Sequence, residues 1–264
     1  MRKKQSKALY FRRGKMSKLN LIVDATGKRD ALERLLMSIK RQTVSGIIVT
    51  LVAAEEETVA HLKEKYAFDV TVTKHGFADG INMTIQKLSS PFFMPVASNQ
   101  LFAVDFYENA LPYLDECDGV MFNIAKKRAN GKFAKIYKGS GAAVSEMLMR
   151  RPCINCCVFK TTVVKDNDIK LKSVTIANQA AFLEKYFECC ETAEYVPDTR
   201  IYIDNISKSA KPSLIGAVGK KNSAAIIKES VLDTAYPFLG TEAYRKLCRA
   251  KSFFVRGVKH VLKR

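Results

Sequence analysis

Between residues 19 and 96 short apolar runs alternate with amphipathic stretches, and this alternation limits the chain to very few folds. Leu19–Val23, Ile47–Val52, Val70–Thr73 and Phe92–Val96 read as strands, the first, second and fourth mostly apolar, as in a sheet covered on both faces. Asp30–Lys40 places Ala31, Leu32, Leu35, Leu36 and Ile39 on one helical face. Glu55–Tyr66 reads as a second helix with acids in its first turn, where they suit the helix dipole, and Asp79–Lys87 as a third. Strands and helices in this rhythm form βαβ units with right-handed crossovers and a largely parallel sheet. Ligands are then expected in the crevice at the carboxyl ends of the strands.

The second half is less regular. Asp118–Ile124, Cys153–Phe159 and Glu194–Tyr202 read as strands, Ala142–Arg150 and Ala177–Cys190 as helices. Lys208–Lys221, with Pro212, Gly216 and Gly219, reads as a loop or linker, followed by helices over Ala224–Leu232 and Glu242–Leu262. The division expected is a basic arm at 1–18, an α/β domain at 19–213 and a helical C-terminal extension at 214–264.

Charge is concentrated at the two ends. The chain carries a net charge of +18, and eight Lys/Arg without one acid fall in residues 1–18, with eight more, again without an acid, in residues 244–264. The partner of those ends is therefore anionic, whereas the body is nearly neutral. In the final helix Phe254 and Val258 share an apolar face while Arg245, Arg249, Arg256 and Lys259 occupy much of the remainder. Such a helix lies in the headgroup region of anionic lipid, or docks on the domain with its charges in water. Leu9-Tyr10-Phe11 among the basic residues of the arm is a second pattern of the first kind. No run reaches the roughly 18 apolar residues a bilayer span needs, and the N-terminal stretch lacks the apolar region of a secretory signal. The expected location is cytoplasmic, peripheral on the inner face of the plasma membrane. Nucleic acid would satisfy the same charge by counterion release, but no aromatic RNA-binding signature, zinc finger or helix-turn-helix accompanies it, so a nucleic-acid partner is disfavoured.

The seven cysteines, an odd number, favour reduced thiols over a disulfide framework. Cys153, Cys156 and Cys157, or the pair Cys189 and Cys190, offer thiolates that zinc accepts. The paired CxxC spacing is missing, however, and Cys-Ile-Asn-Cys-Cys-Val-Phe reads as a buried strand in which cysteine serves as a small hydrophobe.

The order and spacing of several local patterns resemble the family-2 glycosyltransferases, inverting enzymes of the GT-A fold, over about residues 19–210. Asp24-Ala25-Thr26 follows the first strand where the family has a Pro-x-Tyr-Asn-like turn. Gln42-Thr43 matches the Gln-Thr pair that ends its first helix, and Gly76 and Asn82 match the glycine and asparagine that open its third. The resemblance implies a GT-A-like, Rossmann-type, mostly parallel sheet flanked by helices, with a nucleotide-sugar pocket formed by Asp24, Ala25, Thr26, Val52, Ala53, Gly76, Asn82, Ala97, Ser98, Asn99, Gln100 and Tyr202. Whether Asn99, Asn178 and Gln179 converge on that pocket, and whether an acid reaches it, is the observation that decides the reading.

The departures from the family bear on chemistry. Where its second strand ends in aspartates, this chain has Val52-Ala53-Ala54-Glu55; where its fourth ends in an Asp-x-Asp-Asp-like cation site, it has Val96-Ala97-Ser98-Asn99-Gln100. Asn178 and Gln179 take the place of the acidic pair containing the general base. An amide keeps the shape of a carboxylate but neither holds Mg or Mn by charge nor accepts a proton at neutral pH. No confident catalytic residue and no cofactor are therefore expected, Mg or Mn entering only if an acid such as Asp105, Asp204 or Glu57 substitutes. His75, beside Gly76, is either a phosphate contact or a loop histidine, and Lys126-Lys127-Arg128 either a diphosphate clamp or the start of a hairpin turn at Asn130-Gly131. The family's Tyr-Arg and Ser-x-Ser segment corresponds to Tyr202-Ile203 and Ser207-Lys208-Ser209, without the arginine.

The implied role is a family-2-like protein of cell-envelope polysaccharide or teichoic-acid-type polymer assembly. Its metal-dependent transfer would be weak or lost, making it a pseudoenzyme, a glycan binder or a partner of an active glycosyltransferase. The alternatives are a divergent, active transferase without the acidic metal site, and a nucleic-acid-binding protein.

Overall fold

The computed structural model describes residues 19–127, 133–135 and 153–203. In chain order these form β1 (Leu19–Asp24), α1 (Arg29–Lys40), β2 (Ile47–Ala53), α2 (Glu57–Ala60), β3 (Asp69–Val72), α3 (Phe77–Lys87), β4 (Phe92–Val96) and β5 (Gln100–Phe102). They continue with α4 (Phe106–Leu114), β6 (Gly119–Lys127), β7 (Phe133–Lys135), a 3-10 turn at Ile154–Cys156, β8 (Cys157–Lys160), α5 (Thr161–Asp166), α6 (Ile176–Glu188) and β9 (Ala193–Ile203).

One sheet runs β3-β2-β1-β4-β8-β6-β9-β5, with β7 paired to β6 outside that path. The first four strands are mutually parallel, as βαβ crossovers require. β8 enters antiparallel between β4 and β6, which restores the original direction in β6 and β9. Six of the nine strands therefore run one way, giving the mostly parallel sheet expected from the sequence.

Burial on both faces explains the mostly apolar runs. Leu19, Leu21 and Val23 point to one face of β1 and Asn20 and Ile22 to the other, and all five are buried. The second face is closed by α3, whose Gly80 lies so near β2 that a Cβ there would sit 2.1 Å from Val52 Cγ1. Two pairs of polar side chains meet on this face: Asn20 Nδ2 donates to Thr50 Oγ1 at 3.1 Å and Thr84 Oγ1 to Thr71 Oγ1 at 3.0 Å. Gln42, at the end of α1, donates to the Ala103 carbonyl at 2.7 Å and accepts from the Tyr107 N–H at 2.9 Å, fastening α1 to the start of α4.

Several expectations are corrected. Glu55–Tyr66 is not one helix: α2 is a single turn followed by turns whose N–H groups bond three residues back, Leu62 to Val59 and Lys65 to Leu62. Val59 and Leu62, three apart, are its fully buried residues, and that spacing suits the tighter winding. Cys153–Phe159 is not a continuous strand, because side chains capture the main chain of residues 154 and 155 and leave only Cys157–Lys160 to pair in the sheet. β5, β7, α4 and α5 were not anticipated. α4 contains Pro112, which lacks the helical N–H and reads locally as a stop, yet Phe106, Tyr107, Ala110 and Leu114 bury one face of it. The expected helix at 142–150, the basic arm, the linker, both C-terminal helices and the boundary at 213 lie outside the described residues.

A polar knot ties the second half together. Tyr186, fully buried on α6, donates its hydroxyl to the Asp118 carbonyl at 2.5 Å and accepts from the Lys160 N–H at 2.7 Å. The Asp118 carboxylate pairs with Lys160 Nζ at 2.8 Å and accepts from the N–H groups of Glu191 and Thr192 at 3.0 and 3.3 Å. Burial raises the Asp118 pKa, but the Lys160 hydrogen bond and the two N–H donors together outweigh it and hold the carboxyl below its ordinary value. With the folded pKa depressed, the stabilisation is complete above the unfolded value of about 3.9 and is lost as pH falls through the lowered one. Asp118→Asn should therefore be less stable than wild type at pH 7 and show a shallower acid limb, read by denaturant titration between pH 6 and pH 2. Identical acid limbs would remove Asp118 from this role.

Candidate functional site

The carboxyl ends of β1 to β4 open on one side of the sheet, and the loops leaving them are tied into a continuous rim. After β1, Asp24 Oδ1 accepts from the Thr26 N–H at 3.0 Å and the Thr26 hydroxyl at 2.6 Å, which bends the chain toward β4. There Gly27 approaches so closely that a Cβ would lie 1.9 Å from Ser98 Oγ. On the other flank the Ala25 N–H donates to the Val52 carbonyl at 2.9 Å, and the Thr73 N–H to the Ala53 carbonyl at 3.0 Å. Gly76 precedes α3 with φ of +97°, a conformation that favours glycine, and nothing lies within 4 Å of its Cβ position.

The rim closes through side-chain amides. Asn82, on α3, holds Leu171 at both ends, donating to its carbonyl at 2.9 Å and accepting from its N–H at 3.0 Å. Asn178 donates to Ser173 Oγ at 2.7 Å at the start of α6. Gln179 donates to the Val174 carbonyl at 2.6 Å and accepts from the Ile154 N–H at 3.1 Å. Gln100 donates to the Asn155 carbonyl at 2.8 Å and accepts from the Ala97 N–H at 2.7 Å, within a tight turn closed by Gln100 N–H to Ala97 carbonyl at 3.0 Å. The strand order thus brings Asn99 and Asn178 to one region, linked through Gln100, residues 154 and 155, and Gln179.

These contacts revise what several of the residues do. Gln100 is 1% exposed and uses both ends of its amide on main chain; Gln179 and Asn82 do the same. All three hold loops in place, and that work needs a donor and an acceptor in one side chain, which a carboxylate lacks. Asp24, Ala25, Ala97, Ser98 and Asn99 are half-buried at the strand ends, Thr26 and Gly76 are exposed, and Val52 and Ala53 are buried beneath. Tyr202 lies on β9, where it pairs with Leu101 directly after the Ala97–Gln100 turn.

The acids proposed as substitute metal ligands are placed differently. Asp105 stands at the start of α4, beyond the far end of β5, and pairs with Arg200 Nη1 at 3.1 Å. Glu57 is exposed at the start of α2, and Asp204 lies outside the described residues. Among the described residues no group of three or more His, Cys, Asp and Glu is arranged to hold a metal ion. The donors at the end of β4 are a serine hydroxyl and amides, one of whose oxygens is taken by the Ala97 N–H, so this set does not fit the divalent cation the fold family implies. The cysteines do not replace it: the Cys156 hydrogen bond and burial push the Cys153 thiol well above its usual pKa, and Cys156 is likewise held as a neutral thiol. His75 is exposed, its N–H bonded to Thr73 Oγ1 at 3.2 Å. Lys126 and Lys127 end β6 opposite Ala134 and Phe133 of β7, an antiparallel pairing that favours the hairpin reading over the diphosphate clamp; Arg128 and the turn itself lie outside the described residues. So do Arg245, Arg249, Phe254, Arg256, Val258 and Lys259. Asn155, central to the amide bridges, carries no motif and was missed by sequence reasoning.

Similarity to known proteins is structural. No family model matches the chain, and no curated protein matches it in sequence. S. aureus TarS 1-349 in complex with UDP aligns at a TM-score of 0.58 and 17% identity, over 70% of this chain and 60% of that one. The same protein in complex with UDP-GlcNAc gives 0.57 and 15%, over 86% and 69%. Mannosyltransferase PcManGT from Pyrobaculum calidifontis, in complex with GDP-Man and Mn2+, gives 0.57 and 15%, over 85% and 64%. The chain spans 43% of the longer TarS structure. At such identities the likeness is one of architecture, and the chain has a GT-A-like glycosyltransferase fold.

Proposed function

We propose that the chain binds a nucleotide sugar in the crevice at the carboxyl ends of β1–β4 and has weak or no metal-dependent transferase activity. The observation that carries the reading is the convergence of the Asp24–Gly27 loop on Ala97–Asn99 at a rim whose bridging groups are amides. Asp24, Thr26 and Gly76 line the nucleoside side, above the buried Val52 and Ala53, and Ser98, Asn99 and Tyr202 the diphosphate and sugar side. The complexes of the structural neighbours with UDP, UDP-GlcNAc and GDP-Man support a ligand of this class. A cation-independent site binds its ligand through hydrogen bonds and shape, and Asn178, hydrogen-bonded to Ser173, is no general base.

The biological role consistent with this is a pseudoenzyme or glycan-binding partner of an active glycosyltransferase in cell-envelope polysaccharide or teichoic-acid-type polymer assembly. The two basic ends, sixteen of the eighteen net charges, would hold it to anionic lipid at the inner membrane face. No helix among the described residues is long and apolar enough to cross a membrane.

Isothermal titration of the full chain with UDP, UDP-GlcNAc and GDP-mannose, with Mn2+ or with EDTA, tests the site. Binding that changes less than about threefold between the two conditions is expected, equivalent to under about 0.7 kcal/mol. A Mn2+-dependent gain of about tenfold or more, accompanied by sugar transfer, would establish the active-transferase alternative instead.

A further inference from the structure

One side of α4 is buried and the other is open to solvent. Phe106, Tyr107, Ala110 and Leu114 cover the first, which leaves Leu111 half-buried and Glu108, Asp115 and Glu116 exposed on the second. Val104, just before the helix, is 54% exposed. Residues 105–118 and 188–198 together hold nine of the chain's 26 acids and no Lys or Arg. Folding joins these two segments at the amino ends of β6 and β9, the end of the sheet away from the crevice: Gly119 pairs with Ala193, and the Asp118 N–H donates to the Thr192 carbonyl at 3.0 Å. Glu116, Glu191, Glu194 and Asp198 are exposed there and form no ion pair among the described residues. Burial and then the carboxylates of Glu194, Glu116 and Asp118 push the Cys117 thiol above its ordinary pKa, and burial, Glu194 and Asp198 do the same to Tyr113. The face thus combines an uncovered apolar strip with negative charge that nothing nearby balances.

We propose that this face docks the chain's own residues 244–264, whose basic groups meet the carboxylates while Phe254 and Val258 meet Val104 and Leu111. Charge complementarity carries the choice of occupant: residues 244–264 hold eight Lys/Arg and no acid, so each partner repels itself when alone and the repulsion is relieved on contact. The tether reaches. β9 ends at Ile203, beside Gln100 at the crevice end. Residues 204–243 span about 35 Å even as a coil, which is roughly the length of the 11-residue β9 that separates the crevice end from the acidic face. A tether of this kind gives an effective concentration of about a millimolar, which favours the segment of the same chain over that of a second copy. The inference does not depend on the nucleotide-sugar reading, because face and crevice lie at opposite ends of the sheet. Anionic lipid and the acidic face then compete for one segment.

Zero-length carbodiimide crosslinking of the full chain in low salt without lipid, with peptide mapping of the monomer by mass spectrometry, tests the contact. Amide links from Glu116, Glu191, Glu194 or Asp198 to Lys246, Lys251, Lys259 or Lys263 are expected, and the exposed Lys63–Glu56 pair supplies an internal standard. In a Glu194→Gln, Asp198→Asn double variant the links from the remaining Glu116 and Glu191 should fall about fivefold against that standard, the effect of losing two exposed charge pairs. Both substitutions are at exposed positions, and an unchanged thermal midpoint verifies the fold of the variant. Three results would overturn the proposal: basic-end lysines linked to Glu55 and Glu57 as often as to this face, links confined to crosslinked dimers, which assign the face to a second copy, or links from Glu116 and Glu191 that the double variant leaves unchanged.

Discussion

Gln100→Glu should lower stability by about 2–5 kcal/mol at pH 7 while changing the side chain by a single heavy atom. Gln100 is 1% exposed and joins the Ala97 N–H to the Asn155 carbonyl. A glutamate still accepts from Ala97 but, once ionised, turns a second lone-pair oxygen and a buried charge toward the Asn155 carbonyl. Protonation restores the donor, so burial and this carbonyl raise the variant's folded pKa above the unfolded value of about 4.3. The sign follows: the variant approaches wild type below that value and loses stability as pH rises through the folded pKa. Denaturant unfolding of both proteins at pH 4 and pH 7 measures the effect, and a gap of the same size at both pH values would refute it.

Phe159→Ala should cost about 3–5 kcal/mol, the range for truncating a fully buried phenylalanine. Phe159, on β8, is 0% exposed and stacks on Phe93 with ring centres 5.3 Å apart. Phe182 and Tyr186 of α6 meet it edge-on at 5.4 and 4.8 Å. The ring therefore couples the first half-sheet, through β4, to α6 and the knot around Asp118. Urea denaturation monitored by circular dichroism should show the loss, with Phe159→Leu retaining more than half of the stability that alanine removes. A cost below about 1.5 kcal/mol for alanine would mean that the two halves are held together elsewhere.

Hydrophobic periodicity is a local property, and where it was strong it was sufficient. Leu19–Val23, Ile47–Val52 and Phe92–Val96 are apolar enough to be buried strands in any sheet, and α1 and α3 follow within two residues of the limits read from the sequence. The glycine at 76 and the asparagine at 82 were also legible as a loop opening a helix, although the partner of Asn82, Leu171, is 89 residues away and invisible to spacing. Local signals failed where a distant contact replaced a local one. α4, which contains Pro112, was not read from the sequence and forms because its apolar face is covered; Cys153–Phe159 reads as a strand, yet two glutamines from elsewhere take its first main-chain groups.

By itself, then, the sequence determined a parallel βαβ half with its crevice at the strand ends, the separation of charge into two basic termini, and the presence of amides at Asn99, Gln100, Asn178 and Gln179. Only the tertiary structure decided the course of β8 between β4 and β6, the removal of Asp105 to an ion pair with Arg200, and the use of Gln100 and Gln179 as bridges. The reason is that residue type is set along the chain, whereas the direction of a side chain and the partner it meets are set by segments that folding brings together from far apart.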